Sequence, residues 1–163
     1  MTSSPEAGAS NAMRSILVAI IVAYGLHVTS AAHAGELDPV AVKRIEAVAY
    51  DYVDGQLEGD PDRVARSLHP DLAKRAVKSD PDEVLGLRRM SKEELVDLTR
   101  RGFLKTPREQ WDRQVRVLDI TGDVAVARVE TPWFVDYFHL GRFGERWVIV
   151  NAMWQPKPSP ASN

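Results

Sequence analysis

The side chain best suited to proton transfer in this sequence is His69, because imidazole titrates near neutral pH. It lies in the segment His69-Pro70-Asp71, directly after a stretch with helical spacing. There it could act as an acid or a base beside a pocket. The structural alternative is that His69 and Asp71 only cap a helix end, since the residue before a proline is driven out of helical geometry.

A second candidate is Asp136, a single carboxylate between Phe134 and Phe138 on a segment of alternating residues. If that face lines the interior, loss of hydration would raise the pKa of Asp136, as a general acid or base requires. The alternative is a structural hydrogen bond to Asn151, which lies opposite Asp136 when the hairpin closes symmetrically about Phe143-Gly144.

Tyr52 is the third candidate for acid–base chemistry. Its spacing from Ile45 and Ala49 places it on the inner stripe of a predicted helix. Its hydroxyl could be a hydrogen-bond donor in a pocket, or it could belong to a core tyrosine with its own partner.

Composition excludes several other kinds of site. There is no cysteine among the 163 residues, which rules out disulfides, thiol nucleophiles and iron–sulfur sites. The four histidines show no H-x-x-x-H or H-x-H spacing, so we expect no metal. Neither a glycine-rich phosphate loop nor G-x-S-x-G occurs, and we expect no cofactor. A net charge of −2 offers no field to attract nucleic acid.

The first 34 residues resemble a disordered leader followed by a signal peptide. Arg14 precedes an apolar run over residues 16–28, too short to span a membrane, and Ala32-His33-Ala34 follows. We expect cleavage after Ala34, export to the periplasm or medium, and no stable membrane span afterwards. An uncleaved anchor or a buried helix is the alternative, and Met13 is a second possible initiator.

The remaining chain divides into a domain over residues 35–157 and a disordered tail over 158–163. Helical spacing and capping residues predict three helices: from Asp38-Pro39 to residues 55–59, from Asp60-Pro61 to His69-Pro70, and from Ser91 to Gly102. Residues 74–90 are polar and predict a long loop.

Period-two alternation after Pro107 predicts two hairpins, with strands over residues 114–120, 124–130, 133–140 and 146–154. The short connections predict an antiparallel sheet that follows the helices, an α+β arrangement. Both faces of the second hairpin are largely apolar, although a solvated sheet should have one polar face. We therefore expect a homodimer through the sheet.

This order of elements resembles the nuclear transport factor 2-like superfamily, and most closely its "putative lumazine-binding", or SnoaL-like, branch. The similarity extends over roughly residues 39–157. It rests on short segments in a characteristic order, among them Tyr52-Val53-Asp54-Gly55, Leu68-His69-Pro70-Asp71-Leu72, Asp136-Tyr137-Phe138-His139-Leu140 and Trp147-Val148-Ile149-Val150-Asn151. The resemblance implies a cone-shaped curved sheet with helices packed in its concave side, a pocket, and dimerisation through the sheet. The superfamily contains ketosteroid isomerase, scytalone dehydratase and many non-catalytic modules, so fold does not give function.

We expect an exported, non-catalytic protein that holds a small, mostly apolar ligand. The alternatives are a cofactor-independent isomerase, dehydratase or cyclase that uses His69, Asp136 and Tyr52, and a dimeric interaction module whose pocket is filled by its own side chains. The predicted ligand-binding residues surround one cavity: Tyr52, His69, Phe134, Asp136, Phe138, Ile149, Asn151 and Met153.

Overall fold

The computed structural model describes residues 37–78 and 85–158. Its elements, in chain order, are α1 (Pro39–Glu58), α2 (Pro61–Ser67), β1 (Leu68–Val77), β2 (Leu87–Met90), α3 (Lys92–Arg100), β3 (Gln114–Thr121), β4 (Val124–Glu130), β5 (Phe134–Phe143) and β6 (Arg146–Pro156). A short 3-10 turn, Arg108–Gln110, precedes β3. The predicted signal peptide and all of the predicted tail after Pro158 lie outside the described residues.

Capping residues fix both ends of α1 and the start of α3 as the sequence predicted. The Asp38 carboxylate accepts from the backbone N–H of Val40 at 3.0 Å, and α1 ends at Gly59, whose φ of 76° favours glycine. Ser91 caps α3 by accepting from the N–H of Glu94 at 3.2 Å. None of the helices within the described ranges is both long enough and apolar enough to cross a membrane.

The three helices pack on a curved six-stranded sheet with the order β2-β1-β6-β5-β4-β3. The predicted α+β class with three helices against a curved sheet is confirmed. The prediction of a wholly antiparallel sheet is wrong, because β1 pairs with β6 in parallel. A parallel pair needs a long crossover, and β2, α3 and β3 to β5 all lie between these two strands in sequence. The short loops excluded parallel pairing only between consecutive strands.

The predicted loop over residues 74–90 is also wrong in large part. Helix α2 ends at Ser67, and His69-Pro70 belongs to β1 rather than terminating the helix. Strand β1 continues to Val77, and residues 87–90 form β2, which pairs with β1. Two of the six strands therefore precede α3, so the predicted order of helices first and sheet second does not hold.

The register of the second hairpin differs from the symmetric closure that was predicted. Its two-residue turn is Gly144-Glu145, with Gly144 at a φ of 62°, so Phe143 pairs with Arg146. Farther along, Val150 is an extra residue in β6, a bulge that moves the register once more. As a result Asp136 pairs with Trp154 and not with Asn151.

Helix α1 supplies the inner wall of the core. Its buried stripe, which includes Ile45, Ala49 and Tyr52, packs with the inward side chains of the sheet. Gly55 lets α2 approach closely, because a Cβ at that position would lie 2.9 Å from Cγ2 of Val64. This close contact brings α2 against α1 within one turn of Tyr52.

Candidate functional site

A cavity of about 210 Å³ lies between α1, α3 and the sheet. Its walls are mostly apolar and include Leu95, Leu98, Phe103, Leu104, Trp133 and Phe134. Phe103 is 72% exposed and Trp133 is 39% exposed, so these two rings lie where the cavity meets solvent. The volume is below the roughly 300–1,000 Å³ of drug-sized pockets. It exceeds the cavity of about 150 Å³ that holds benzene.

Three hydrogen-bonded side chains form the polar end of this cavity. The Tyr52 hydroxyl donates to Oδ2 of Asp136 at 3.0 Å. The Lys74 ammonium donates to the Tyr52 oxygen at 2.8 Å and to Oδ1 of Asp136 at 2.5 Å. All three side chains are buried, with Asp136 fully enclosed. Both carboxylate oxygens of Asp136 are therefore engaged by neighbouring side chains in the core.

Secondary-structure periodicity brings these residues together. Tyr52 lies on the inner stripe of α1, where residues three and four apart share a face. On β1, the side chains of Leu72, Lys74 and Ala76 occupy alternate positions and all face the interior. On β5, Asp136 likewise occupies an inward position of the alternating pattern. Burying a charged pair of this kind requires good geometry and further hydrogen bonds, and Tyr52 supplies them.

Burial changes the protonation behaviour of two of these groups. Burial raises the pKa of Tyr52 well above its ordinary value, and the nearby negative charge of Asp136 adds to this effect. Burial lowers the pKa of Lys74. The negative charge of Asp136 opposes this lowering, and the positive charge of the neighbouring Arg88 adds to it. Tyr52 is therefore a neutral hydrogen-bond donor at physiological pH.

An indole ring joins the polar end to the edge of the sheet. Trp154 on β6 lines the cavity, with the Lys74 ammonium 5.3 Å from its ring centroid and the Arg88 guanidinium also at 5.3 Å. The Trp154 Nε1–H is buried and has no hydrogen-bond partner, and no other buried side-chain nitrogen or oxygen in residues 37–78 and 85–158 lacks one. A buried unsatisfied donor of this kind requires an explanation.

The structure brings some of the predicted site residues together. Tyr52, Phe134 and Asp136 line the cavity. Phe138 and Ile149 are buried in the core but do not line it; the Phe138 ring packs edge-on against Tyr52, with the centroids 4.9 Å apart.

The prediction that His69, Asn151 and Met153 border the same cavity is wrong. His69 lines a separate surface groove, where its ring stacks on Phe143 at 5.1 Å. Its Nδ1 accepts from the N–H of Asp71 at 3.0 Å, which agrees with a local role in the turn. Asn151 and Met153 follow the bulge, so they pair with His139 and Tyr137 on the opposite face of the sheet.

Sequence reasoning missed most of the residues that line the cavity, among them Lys74, Arg88, Met90 and Trp154. Lys74 and Arg88 lie in the segment that was predicted as a loop. The alternation of Leu72, Lys74 and Ala76 was the available signal, but an inward-facing lysine obscures the apolar pattern of a strand.

No group of three or more His, Cys, Asp or Glu side chains in the described part of the chain could hold a metal ion. The cavity itself has one carboxylate, that of Asp136. Its other lining residues are hydrogen-bonding or apolar side chains.

Several solved structures share this fold. An NTF2-like protein of unknown function from Shewanella baltica OS155 is 24% identical, with a TM-score of 0.62 over 72% of this chain and 94% of that one. One from Methylobacillus flagellatus KT is 23% identical, with a TM-score of 0.59 over 76% and 97%. A ketosteroid isomerase-like protein from Erwinia carotovora atroseptica SCRI1043 is 16% identical, with a TM-score of 0.52 over 75% and 100%. Identities this low establish the fold alone.

No protein with curated annotation matches the chain in sequence. Residues 41–155 match the family described as "putative lumazine-binding", a stretch that runs from the first turn of α1 to the end of β6. This stretch includes every side chain of the cavity. The chain therefore belongs to the family described as "putative lumazine-binding".

Proposed function

We propose that the protein is a non-catalytic binding protein that holds a small, mostly apolar ligand in the cavity between α1, α3 and the sheet. The observation that carries this proposal is a cavity of about 210 Å³ with mostly apolar walls, beside which the Trp154 Nε1–H is buried without a partner. A bound molecule with an acceptor would satisfy that donor, while the apolar walls would supply most of the affinity. The description of the family agrees with a small-molecule ligand.

The test is native mass spectrometry of protein purified from its own host, in which we expect a retained small molecule. Leu98→Trp fills the cavity and should abolish retention. Ala65→Trp, in the separate groove beside His69, is the matched control and should retain the molecule. A wild-type protein that always has the mass of the bare polypeptide would contradict the proposal.

One observation favours a cofactor-independent isomerase, dehydratase or cyclase as the second candidate. The Lys74 amine, whose pKa is lowered by burial, lies beside the Tyr52 hydroxyl at the cavity. The predicted combination of His69, Asp136 and Tyr52 gives no support, since His69 lies elsewhere. Incubation of the retained molecule with the protein in D₂O separates the two functions. Deuterium entering a carbon position, and not entering with Lys74→Met, would indicate an enzyme.

The third function is an interaction module with a filled pocket. The cavity of about 210 Å³ is smaller than the roughly 300 Å³ that would count against this function. A cavity that gained no stability from any small molecule would favour this function.

We also propose that the protein forms a homodimer through the outer face of the sheet. On that face Tyr137 and Met153 are paired across β5 and β6, and their side chains are 48% and 44% exposed. Apolar side chains exposed next to each other on a sheet are typical of an interface. Export remains a proposal that rests on the pattern of Arg14, residues 16–28 and Ala32-His33-Ala34.

A further inference from the structure

The polar groups of the cavity are unbalanced in charge. Lys74 and Arg88 are basic, and Asp136 is the only acidic residue that lines the cavity within the described ranges. Lys74 already forms an ion pair with Asp136. One positive charge, that of Arg88, is therefore left without a matching negative charge at the site.

The hydrogen-bonding groups at this end of the cavity that have capacity left are also mostly donors. Lys74 has three N–H groups, two of which bond to Tyr52 and Asp136. The Arg88 side chain contacts the Trp154 ring but forms no hydrogen bond or ion pair with any residue in the described segments. The Trp154 Nε1–H has no partner. A ligand that fits this end of the cavity must supply acceptors.

The size and the walls of the cavity limit the shape of the part of the ligand that does not carry the acceptors. About 210 Å³ is enough for a molecule slightly larger than one six-membered ring. The cavity walls also include the rings of Phe134, Trp133 and Phe103, which favour a flat molecule.

From these three features we propose that the cavity selects a small, planar organic acid with a single negative charge and about one ring. Its carboxylate accepts from the Trp154 Nε1–H and pairs with Arg88, while Lys74 remains bonded to Asp136. This inference rests on the proposed binding function and adds the chemical class of the ligand. A charged hydrogen bond in a partly enclosed site is stronger than a neutral one, which would give selectivity for the anion.

Three probes of nearly identical shape test the charge: benzoate (−1), benzamide (0) and benzamidine (+1). Titration calorimetry at pH 7 should show benzoate binding about tenfold or more tightly than benzamide, and benzamidine more weakly than both. Arg88→Gln should reduce the affinity for benzoate to about that for benzamide. Arg89→Gln is the matched control, since Arg89 is the next residue of β2 and does not line the cavity.

A second measurement follows the indole donor directly. In a ¹H–¹⁵N spectrum, benzoate should shift the Trp154 Nε1–H resonance downfield, and Trp154→Phe, which removes that resonance and keeps an aromatic ring, should weaken benzoate binding. Affinities that are equal for benzoate and benzamide, or highest for benzamidine, would overturn the anion class and leave ligand binding intact.

If none of the three probes binds while the protein from its host retains another molecule, the ligand class is overturned and the proposed function remains. If none of the three probes binds and the protein from its host retains no molecule, both the ligand class and the proposed function are contradicted.

Discussion

Lys74 on β1 and Asp136 on β5 form an ion pair in the core, across the strand β6 that lies between them in the sheet. No backbone hydrogen bond can join β1 to β5 directly, so this pair is a side-chain connection between two non-adjacent strands. It also forms the floor of the polar end of the cavity. Stability and ligand binding therefore depend on the same two charges.

Asp136→Ala should lower the free energy of unfolding by about 3–5 kcal/mol, because it leaves the Lys74 ammonium buried without its counter-ion. Urea denaturation at pH 7 measures the change. The control is Asp112→Ala, an exposed carboxylate, which should change stability by no more than about 0.5 kcal/mol.

The double variant Lys74→Met with Asp136→Leu should recover part of that loss, since an apolar pair of similar volume replaces a buried ion pair with little cost, while the buried Tyr52 hydroxyl loses both partners. A double variant as unstable as Asp136→Ala would mean that shape, and not the unpaired charge, causes the loss.

Tyr52→Phe should destabilise the protein by about 1–3 kcal/mol at pH 7, because the hydroxyl bonds to Asp136 and Lys74 in the core. Burial raises the pKa of Tyr52, so the unfolded chain loses this proton first as the pH rises through about 10. The contribution of Tyr52 is fully present below that pH and is lost above it. The lowered pKa of Lys74 makes stability rise with pH, which is opposite to the effect of Tyr52. Lys74 is present in both wild type and Tyr52→Phe, so it does not cause the difference between them.

The difference between wild type and Tyr52→Phe should accordingly shrink by about 1.4 kcal/mol for each pH unit above 10. Urea denaturation from pH 7 to pH 11 measures it, with Tyr137→Phe, a half-exposed tyrosine, as the comparison. A difference that stays constant to pH 11 would contradict burial of the phenol.

Gly55→Ala should destabilise the protein by about 1–3 kcal/mol, because the new methyl would lie 2.9 Å from Cγ2 of Val64 and 3.1 Å from its backbone nitrogen. The sign is informative, since the same change at an uncrowded helix position stabilises by about 0.5–1 kcal/mol. Thermal unfolding followed by circular dichroism measures it. An increase in the midpoint would show that α2 moves away from α1 without cost.

Sedimentation at micromolar concentration should give about twice the mass of the processed chain if the outer face of the sheet is a dimer interface. Tyr137→Lys should then produce a monomer, because it places a charge beside Met153 at the centre of that face. Val40→Lys, at the start of α1 and 59% exposed, is the control and should preserve the dimer. A wild-type monomer would contradict dimerisation.

N-terminal sequencing of exported material should begin at or near Gly35. Replacing Ala32 and Ala34 with large residues should block processing, since the peptidase requires small side chains there. Full-length chain confined to the cytosol would contradict export.

Local signals predicted much of the fold. The caps Asp38 and Ser91 and the glycine turns at Gly122 and Gly144 each act within a few residues, and the elements beside them lie close to their predicted places. Strand β1 was missed because its inward Lys74 is neutralised by Asp136, 62 residues away. No local pattern contains that information.

The candidate site was predicted only in part for the same reason. Tyr52 and Asp136 follow regular periods on α1 and β5, and the structure brings them into contact. Asn151 and Met153 were assigned to the wrong face because strict alternation does not allow for the extra residue at Val150. His69 was assigned to a helix end, whereas β1 carries it to a different surface.

The bulge at Val150 determines which side chains of β6 meet the ligand. If Val150 instead paired within a regular ladder, Met153 and Gln155 would lie opposite Asp136 and Phe134 and Trp154 would turn outward, with the rest of the sheet unchanged. A single-codon insertion or deletion in this strand can thus replace an indole donor by a thioether or an amide. Relatives that share this fold can acquire new ligand preferences by such a step, without altering any residue of the helices.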